Sequence, residues 1–301
     1  MKIPFDIDEA GQPFETVDAV LLRLGRLGGP SRHGWHTREA GWRCPRAAAY
    51  IAAGSSIPPV GEAALIGSVV HEYLAGYYLS CSDLPARPTR ADHADQVERI
   101  HEALLEAGHE KVAEEARRLY SAYVVRYGRD GEDSYLRFGD VVSVEGEFRR
   151  DLPWGEPYTG RVDLLVSGDG GTLVVDHKVT GRKDRRFLWG WRVSPQMLGL
   201  QWMGRGLWKG PIQASINGII RTKEIEFNRR DVSHDDSTVK DWVRMMHYRH
   251  VEREVAKAAG SPPDFMACFA GWQMCPFIDA CAYGEEPGGV VERYEPDEEV
   301  D

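Results

Sequence analysis

Residues Gly160–Thr180 read GRVDLLVSGDGGTLVVDHKVT, two apolar runs that each keep one aspartate, joined by a glycine-rich turn. If the chain reverses at Asp169-Gly170, the pair favoured by two-residue type I′ loops, two antiparallel strands face each other with Asp163 opposite Asp176. A four-residue loop on the same centre keeps that register, whereas a three-residue loop shifts it by one. Alternation along a strand then puts Lys178 on the same face as Asp176. Directly opposed carboxylates repel across a sheet, so something must compensate them. A shared proton is one answer, and an oxygen-seeking divalent cation, Mg²⁺ or Mn²⁺, is a better one because both groups stay ionised. The bland alternative is a solvated hairpin face with three unrelated charges. The flanks VDLLV and LVVD are too apolar for a wholly exposed hairpin, which favours a purpose for the retained acids.

Around the hairpin the patterning alternates between helix and strand. Residues 61–79, GEAALIGSVVHEYLAGYYL, repeat apolar side chains at helical spacing, and two further helical stretches lie between about Ala91 and Tyr127 with a break near Gly108. VVSVEGEFRRDL reads as a strand ahead of the hairpin. Beyond it, VSPQMLGLQWMGRGLW predicts a helix capped by Ser194 with Pro195 in its first turn. QASINGIIRT and KEIEF follow as strands, and a long helix runs from about Ser237 to Ala259 until Gly-Ser-Pro-Pro stops it. This order predicts an α/β fold with a mixed central sheet flanked by helices. The expected divisions are an N-terminal segment 1–60, a core 61–235 with a helical insertion at about 91–128, a C-terminal helix and cysteine-rich segment 236–283, and an acidic, mobile tail 284–301.

The 301 residues are 42% hydrophobic and 28% charged, enough to bury a sizeable core. No apolar run reaches bilayer-spanning length and the start lacks a signal-peptide pattern, so the expectation is a cytoplasmic protein of a bacterium or phage-infected cell, with no membrane partner. A net charge of −10 counts against broad nucleic-acid binding. Part of that deficit sits in EEPGGVVERYEPDEEVD at the end, while GRKDRRFLWGWR follows the hairpin directly and concentrates Arg182, Lys183, Arg185 and Arg186 there. These four are the candidate phosphate contacts, and Trp189 and Trp191 beside them could stack bases of a single strand. No G-x-x-x-x-G-K-[ST] motif is present, so the chain carries no evident ATP motor of its own.

The run G-R-V-D, thirteen residues to Asp176, then D-H-K, resembles the PD-(D/E)xK nuclease superfamily, specifically its RecB-like exonuclease branch. The resemblance implies a restriction-endonuclease-like core in which Asp163, Asp176 and the main-chain carbonyl of His177 hold Mg²⁺ or Mn²⁺, and Lys178 serves the hydrolytic water. GSVVHEYL is similar to the family's upstream helix, which makes His71 a further metal ligand; by itself a helical histidine beside Glu72 is more often a packed or capping residue. SPQMLGLQW is similar to the family's Q-x-x-x-Y motif and assigns Gln196 to the site, with Leu200 standing at the tyrosine position. Gln201 either shares that polar work or faces solvent.

Five cysteines in a chain of this kind are core thiols or metal ligands. Cys44 lies in GWRCPRAAAY, and Cys268, Cys275 and Cys281 lie in CFAGWQMCPFIDAC, whereas Cys81 has no motif around it and reads as a core thiol. The early Cys-Pro with three late cysteines resembles the iron-sulfur branch of these nucleases, shared by AddB and the exonucleases of CRISPR adaptation. That implies a 4Fe-4S cluster joining the N- and C-terminal segments as a structural brace.

The function implied is a metal-dependent DNA exonuclease acting on single-stranded ends in recombination, repair or phage DNA processing, with recombination or helicase proteins as possible partners. The competing readings are a metal-braced DNA-binding or adaptor subunit with weak or no cleavage, and a structure-specific endonuclease on the same core.

Overall fold

The computed structural model describes residues 43–52, 61–85, 87–128, 131, 133–181, 183, 190–264, 266–269, 275, 277 and 280–281. The N-terminal apolar stretch, the acidic tail, Trp189 and the candidate contacts Arg182, Arg185 and Arg186 lie outside them. Residues 61–242 form one compact unit, and residues 43–52 with 243–281 form a second, the boundary falling inside the last long helix.

In the first unit, α2 (Glu62–Ser80), α3 (Arg90–Glu106) and α4 (Glu110–Tyr127) precede the sheet; α1 (Pro45–Ala52) belongs to the second unit. The predicted break at Gly108 is real: that residue has φ +75°, the left-handed region that favours glycine. Thr89 opens α3 with a capping box, its hydroxyl accepting from the Asp92 N–H while the Asp92 carboxylate accepts from the Thr89 N–H. α2 is apolar nearly all round because α3 and α4 cover one side and the sheet the other.

Five strands follow: β1 (Asp140–Asp151), β2 (Pro157–Gly168), β3 (Gly171–Thr180), β4 (Ile212–Ile220) and β5 (Glu226–Asp231), with α5 (Pro195–Leu207) between β3 and β4 and α6 (Asp236–Ala258) after β5. They form one sheet in the order β1-β2-β3-β4-β5, antiparallel except for the central β3–β4 pair, which is parallel and therefore needs the α5 crossover. Ser194 caps α5 by accepting from the Met197 N–H, with Pro195 in the first turn as expected. The last strand departs from expectation: KEIEF predicts pairing from Lys223, whereas β5 begins at Glu226 and runs on through Asn228, Arg229 and Arg230.

The hairpin register is the predicted one. Leu164 pairs with Val175 and Gly168 with Gly171, the turn falling at Asp169-Gly170. The ladder ends at Leu164–Val175, yet β2 stays paired with β1 down to Pro157 and β3 with β4 up to Thr180. The two strands therefore part like the arms of a fork, and Asp163 and Asp176 are the first residues past the join. Leu164, Val166, Leu173 and Val175 pack with α2 and α4 in the main core. Beyond the fork, Tyr158 and Gly160 of β2 lie against α5: an ideal Cβ on Gly160 would sit 2.7 Å from Leu200 Cδ2 and 2.9 Å from Met203 Cε, so any side chain there must push those ends aside.

Candidate active site

The fork gathers its charged groups from four elements. Past the join, the Asp163 carboxylate accepts the His177 main-chain N–H (Oδ2, 2.7 Å), a bond that a continued ladder would have given to a main-chain oxygen of β2. Asp176, almost fully buried, accepts at Oδ1 from Lys178 Nζ (3.0 Å) and from Gln196 Nε2 of α5 (2.9 Å), while its Oδ2, 2.8 Å from the Lys178 ammonium, is a buried oxygen that accepts no hydrogen bond among the described residues. His71 of α2 places Nδ1 3.5 Å from Asp163 Oδ2. The structure thus brings together His71, Asp163, Asp176, Lys178 and Gln196.

A sixth group was missed by the sequence reading. Val144 pairs with Leu164 and Gly146 with Val162, so Glu145 stands opposite Asp163 on the other neighbouring strand. Its carboxylate is buried, 3.7 Å from His71 Nδ1 and 3.2 Å from Arg161 Nε. The signal was available: Leu152-Pro-Trp-Gly-Glu156 is a three-residue hairpin loop, closed by the Leu152 N–H donating to Glu156 O, with Gly155 at φ +85°. Centring the β1–β2 hairpin on Trp154 yields the Glu145–Asp163 pairing from the letters alone. Glu145 itself has φ +49°, a left-handed conformation that costs a non-glycine residue about 1–3 kcal/mol.

Three carboxylates in a row across β1, β2 and β3 are faced by His71, Arg161 and Lys178. Burial pushes the carboxyls of Asp163 and Asp176 up, only partly offset by His71 and Lys178 respectively. Burial opposes a charge on His71, but Asp163 and Glu145 outweigh it and raise its pKa to about 9. Lys178 behaves alike, with Asp176 and Asp163 overcoming burial to hold it above the ordinary lysine value. His71 as an imidazolium between two acids occupies the electrostatic role of a cation. His71, Glu145 and Asp163 each offer a ligand atom, all within 4.8 Å of one another, the only such group of three among the described residues. Imidazole nitrogen with carboxylate oxygens suits Mg²⁺ and better Mn²⁺, whose bonds of about 2.1 Å need only a small contraction of these distances. The residues present therefore fit a divalent ion.

The remaining candidates separate. Leu200 is buried against Gly160. Gln201 neither reaches the site nor faces solvent: it is fully buried, its Nε2 donating to Met197 O and Val232 O and its Oε1 accepting from the His234 N–H. The Lys183 ammonium is paired with Glu226 Oε1 at 2.6 Å. The His177 ring stacks on Tyr78 (centroids 5.9 Å apart) and stands edge-on to His71 (6.0 Å), while its main chain lies at the fork. Trp191 presents its ring to Lys178 Nζ, 5.4 Å from the centroid.

In the second unit, α1 carries Tyr50 onto Phe277, with ring centroids 5.1 Å apart, around a small core edged by Cys275 and Cys281. Burial raises the Cys268 thiol, and the thiols of Cys275, Cys44 and Cys281 raise it further. The Cys275 N–H donates to Cys268 O and the Asp264 N–H to Cys44 Sγ (3.4 Å). Cys81, half-buried, packs at the margin of the main core in the first unit.

No helix among the described residues is long and apolar enough to cross a membrane. No curated protein matches the sequence. Among solved structures, a protein from Eubacterium rectale named "Putative exonuclease" is similar over 100% of this chain and 97% of its own, with 14% identity and a TM-score of 0.51, a likeness of fold. The structure of SSO0001, at 14% identity and a TM-score of 0.33 over 72% of this chain and 93% of that one, adds no argument. The sequence matches the PD-(D/E)XK nuclease superfamily over residues 39–282, through α1, the whole sheet and the late cysteines. By that match, with the acid, acid and lysine constellation at the fork, the chain belongs to the PD-(D/E)XK nuclease superfamily.

Proposed function

We propose that the protein is a divalent-metal-dependent deoxyribonuclease that degrades DNA from single-stranded ends, serving recombination, repair or phage DNA processing. One observation carries the reading: Glu145, Asp163 and Asp176 lie side by side across three strands, with His71 and Lys178 reaching the same fork. His71, Glu145, Asp163, Asp176 and the His177 carbonyl would hold Mg²⁺ or Mn²⁺, which when bound polarises a phosphoryl oxygen and acidifies water. Asp163 is held in place by the His177 N–H, and Asp176 by Gln196. Lys178, kept charged by the two aspartates, donates: it orients the attacking water and neutralises charge growing on the phosphoryl oxygens. Water adds to phosphorus, one P–O bond breaks, and the products are a phosphomonoester and a hydroxyl. The basic run Arg182, Lys183, Arg185 and Arg186 begins four residues after Lys178 and supports phosphate contacts beside the scissile bond.

End-labelled linear DNA and closed circular single strands, incubated with Mg²⁺, Mn²⁺ or chelator, test this reading. Loss of linear DNA alone supports an exonuclease; cutting of circles makes the protein an endonuclease, and binding without hydrolysis makes it an adaptor.

We further infer that Cys44, Cys268, Cys275 and Cys281 bind a 4Fe-4S cluster that braces the second unit. Asp264 joins two of them, its N–H donating to Cys44 Sγ and its carbonyl accepting from Cys268 Sγ, the Cys275 N–H donates to Cys268 O, and Cys275 and Cys281 edge the same small core. Protein purified without oxygen should be brown and contain iron and sulfide; colourless protein holding zinc would overturn the assignment.

A further inference from the structure

Behind the fork, on β5, lies an arginine that the reaction does not use. Arg229 has its guanidinium carbon 3.5 Å from the ring centroid of Tyr127 and 3.7 Å from that of Tyr135. It also donates to Tyr123 Oη (3.1 Å), to Asp133 O and, through Nε, to Asn217 Oδ1 on β4 (3.2 Å). Those partners are oxygens of hydroxyl, carbonyl and amide groups together with aromatic faces, which fix a planar guanidinium in one orientation.

The direction of the next hydrogen bond follows. Arg229 can only donate, so Asn217 must turn its oxygen toward it and its NH₂ the other way. That NH₂ meets His177 Nδ1 at 2.8 Å, with Asn217 wholly buried. Nδ1 must then accept, which leaves the His177 proton on Nε2. Tyr78, stacked at 5.9 Å, and Tyr123, edge-on at 6.1 Å, fix the plane of the ring. His177 is the residue whose main-chain N–H holds Asp163 Oδ2.

We propose that Arg229 and Asn217 are positioning residues: they lock His177 into one rotamer and the Nε2–H tautomer, and through its main chain they set where the Asp163 carboxylate sits. Neither touches the reacting atoms. The link to metal affinity rests on the nuclease reading above, whereas the tautomer is fixed by the hydrogen-bond directions alone. Outer partners of metal sites of this kind typically change affinity by about 10–100-fold when removed.

Two measurements on the full chain test the relay. Long-range ¹H–¹⁵N NMR on histidine-labelled protein should show His177 protonated at Nε2; an Nδ1–H tautomer in the wild type overturns the proposal without any variant. Asn217→Asp can only accept, so it should move the proton to Nδ1. Mn²⁺ titration followed by EPR should show binding weakened about tenfold or more in Asn217→Asp. Arg229→Lys, at a half-buried position that tolerates change better, should show a smaller loss in the same direction. Both variants should lower kcat with KM for DNA nearly unchanged. Unaltered Mn²⁺ affinity in folded Arg229→Lys and Asn217→Asp would overturn the positioning role. Wild-type protein that takes up no Mn²⁺ while keeping the Nε2–H signal would overturn the link to the metal, and would mark the nuclease reading as the part that failed.

Discussion

Glu145 stands opposite Asp163 across the β1–β2 ladder, and both carboxylates approach the same nitrogen of His71, at 3.7 and 3.5 Å. One face of the candidate metal site is therefore built by a strand that carries none of the family's sequence motif. Its backbone is bent out of β geometry at that residue, at φ +49°. Strain placed on a charged residue at a functional site is the trade of stability for activity seen in many enzymes.

That strain can be isolated by comparing two variants. Glu145→Ala and Glu145→Gly both remove the carboxylate, and both should weaken Mn²⁺ binding by about tenfold or more. Only glycine accepts the left-handed conformation freely, so Glu145→Gly should be more stable than Glu145→Ala by about 1 kcal/mol in urea denaturation. Equal midpoints would show that the backbone there relaxes at no cost.

Lys178→Ala should lower the rate of DNA cleavage by at least about a hundredfold, because a charged donor aimed at the developing phosphoryl charge is lost. Binding of uncleaved DNA in chelator, followed by fluorescence anisotropy, should change little. A parallel collapse of binding would recast Lys178 as a substrate contact.

Two glycines at the contact between α5 and β2, Gly199 on the helix and Gly160 on the strand, should differ in their tolerance of alanine. At Gly160 the new methyl meets Leu200 Cδ2 and Met203 Cε, the flexible ends of side chains that can yield, and the expected loss is about 1–2 kcal/mol. At Gly199 an ideal Cβ lies 2.0 Å from Tyr158 Oη and 2.6 Å from Tyr158 Cζ. That ring is wedged against Trp202 and Trp242 and cannot step aside, so about 3 kcal/mol or more is expected. Chemical denaturation of both variants ranks them, and the reverse order would mean that Tyr158 is looser than its neighbours imply.

His93, buried with Nε2 2.8 Å from Tyr120 Oη, is held by burial at a pKa of about 4 against an ordinary 6.5. Between these values the unfolded chain takes up the extra proton and the folded one does not. Its stabilising contribution is whole above pH 6.5 and is lost as the pH falls toward 4, amounting to up to about 3 kcal/mol. His93→Gln should flatten the decline in urea midpoint between pH 6.5 and 4.5 relative to wild type; identical slopes would show that His93 protonates in place.

Much of this architecture was readable from the letters because turn chemistry and periodicity agree. Asp169-Gly170 sets the β2–β3 register, and Ser194-Pro195 sets the start of α5, which delivers Gln196 to Asp176. What stayed hidden was hidden for identifiable reasons. Glu145 looks like one more polar residue in an alternating strand until the Pro-Trp-Gly loop is used to align it. The true extent of β5 was missed because Arg229, which faces Tyr127 and Tyr135, is a cation where the pattern asks for an apolar side chain. Gln201 is illegible for the same cause in reverse, its polarity being spent on main-chain groups that no local rule predicts.

The parting of β2 from β3 makes Asp163 a stitch in the sheet as well as part of the chemistry, since its carboxylate replaces a backbone acceptor for His177. Lys178 has no such second employment. Descendants of this scaffold that abandon cutting while keeping their shape should shed the lysine early and the first aspartate late, so an intact Asp163 is weak testimony that a homologue still cleaves.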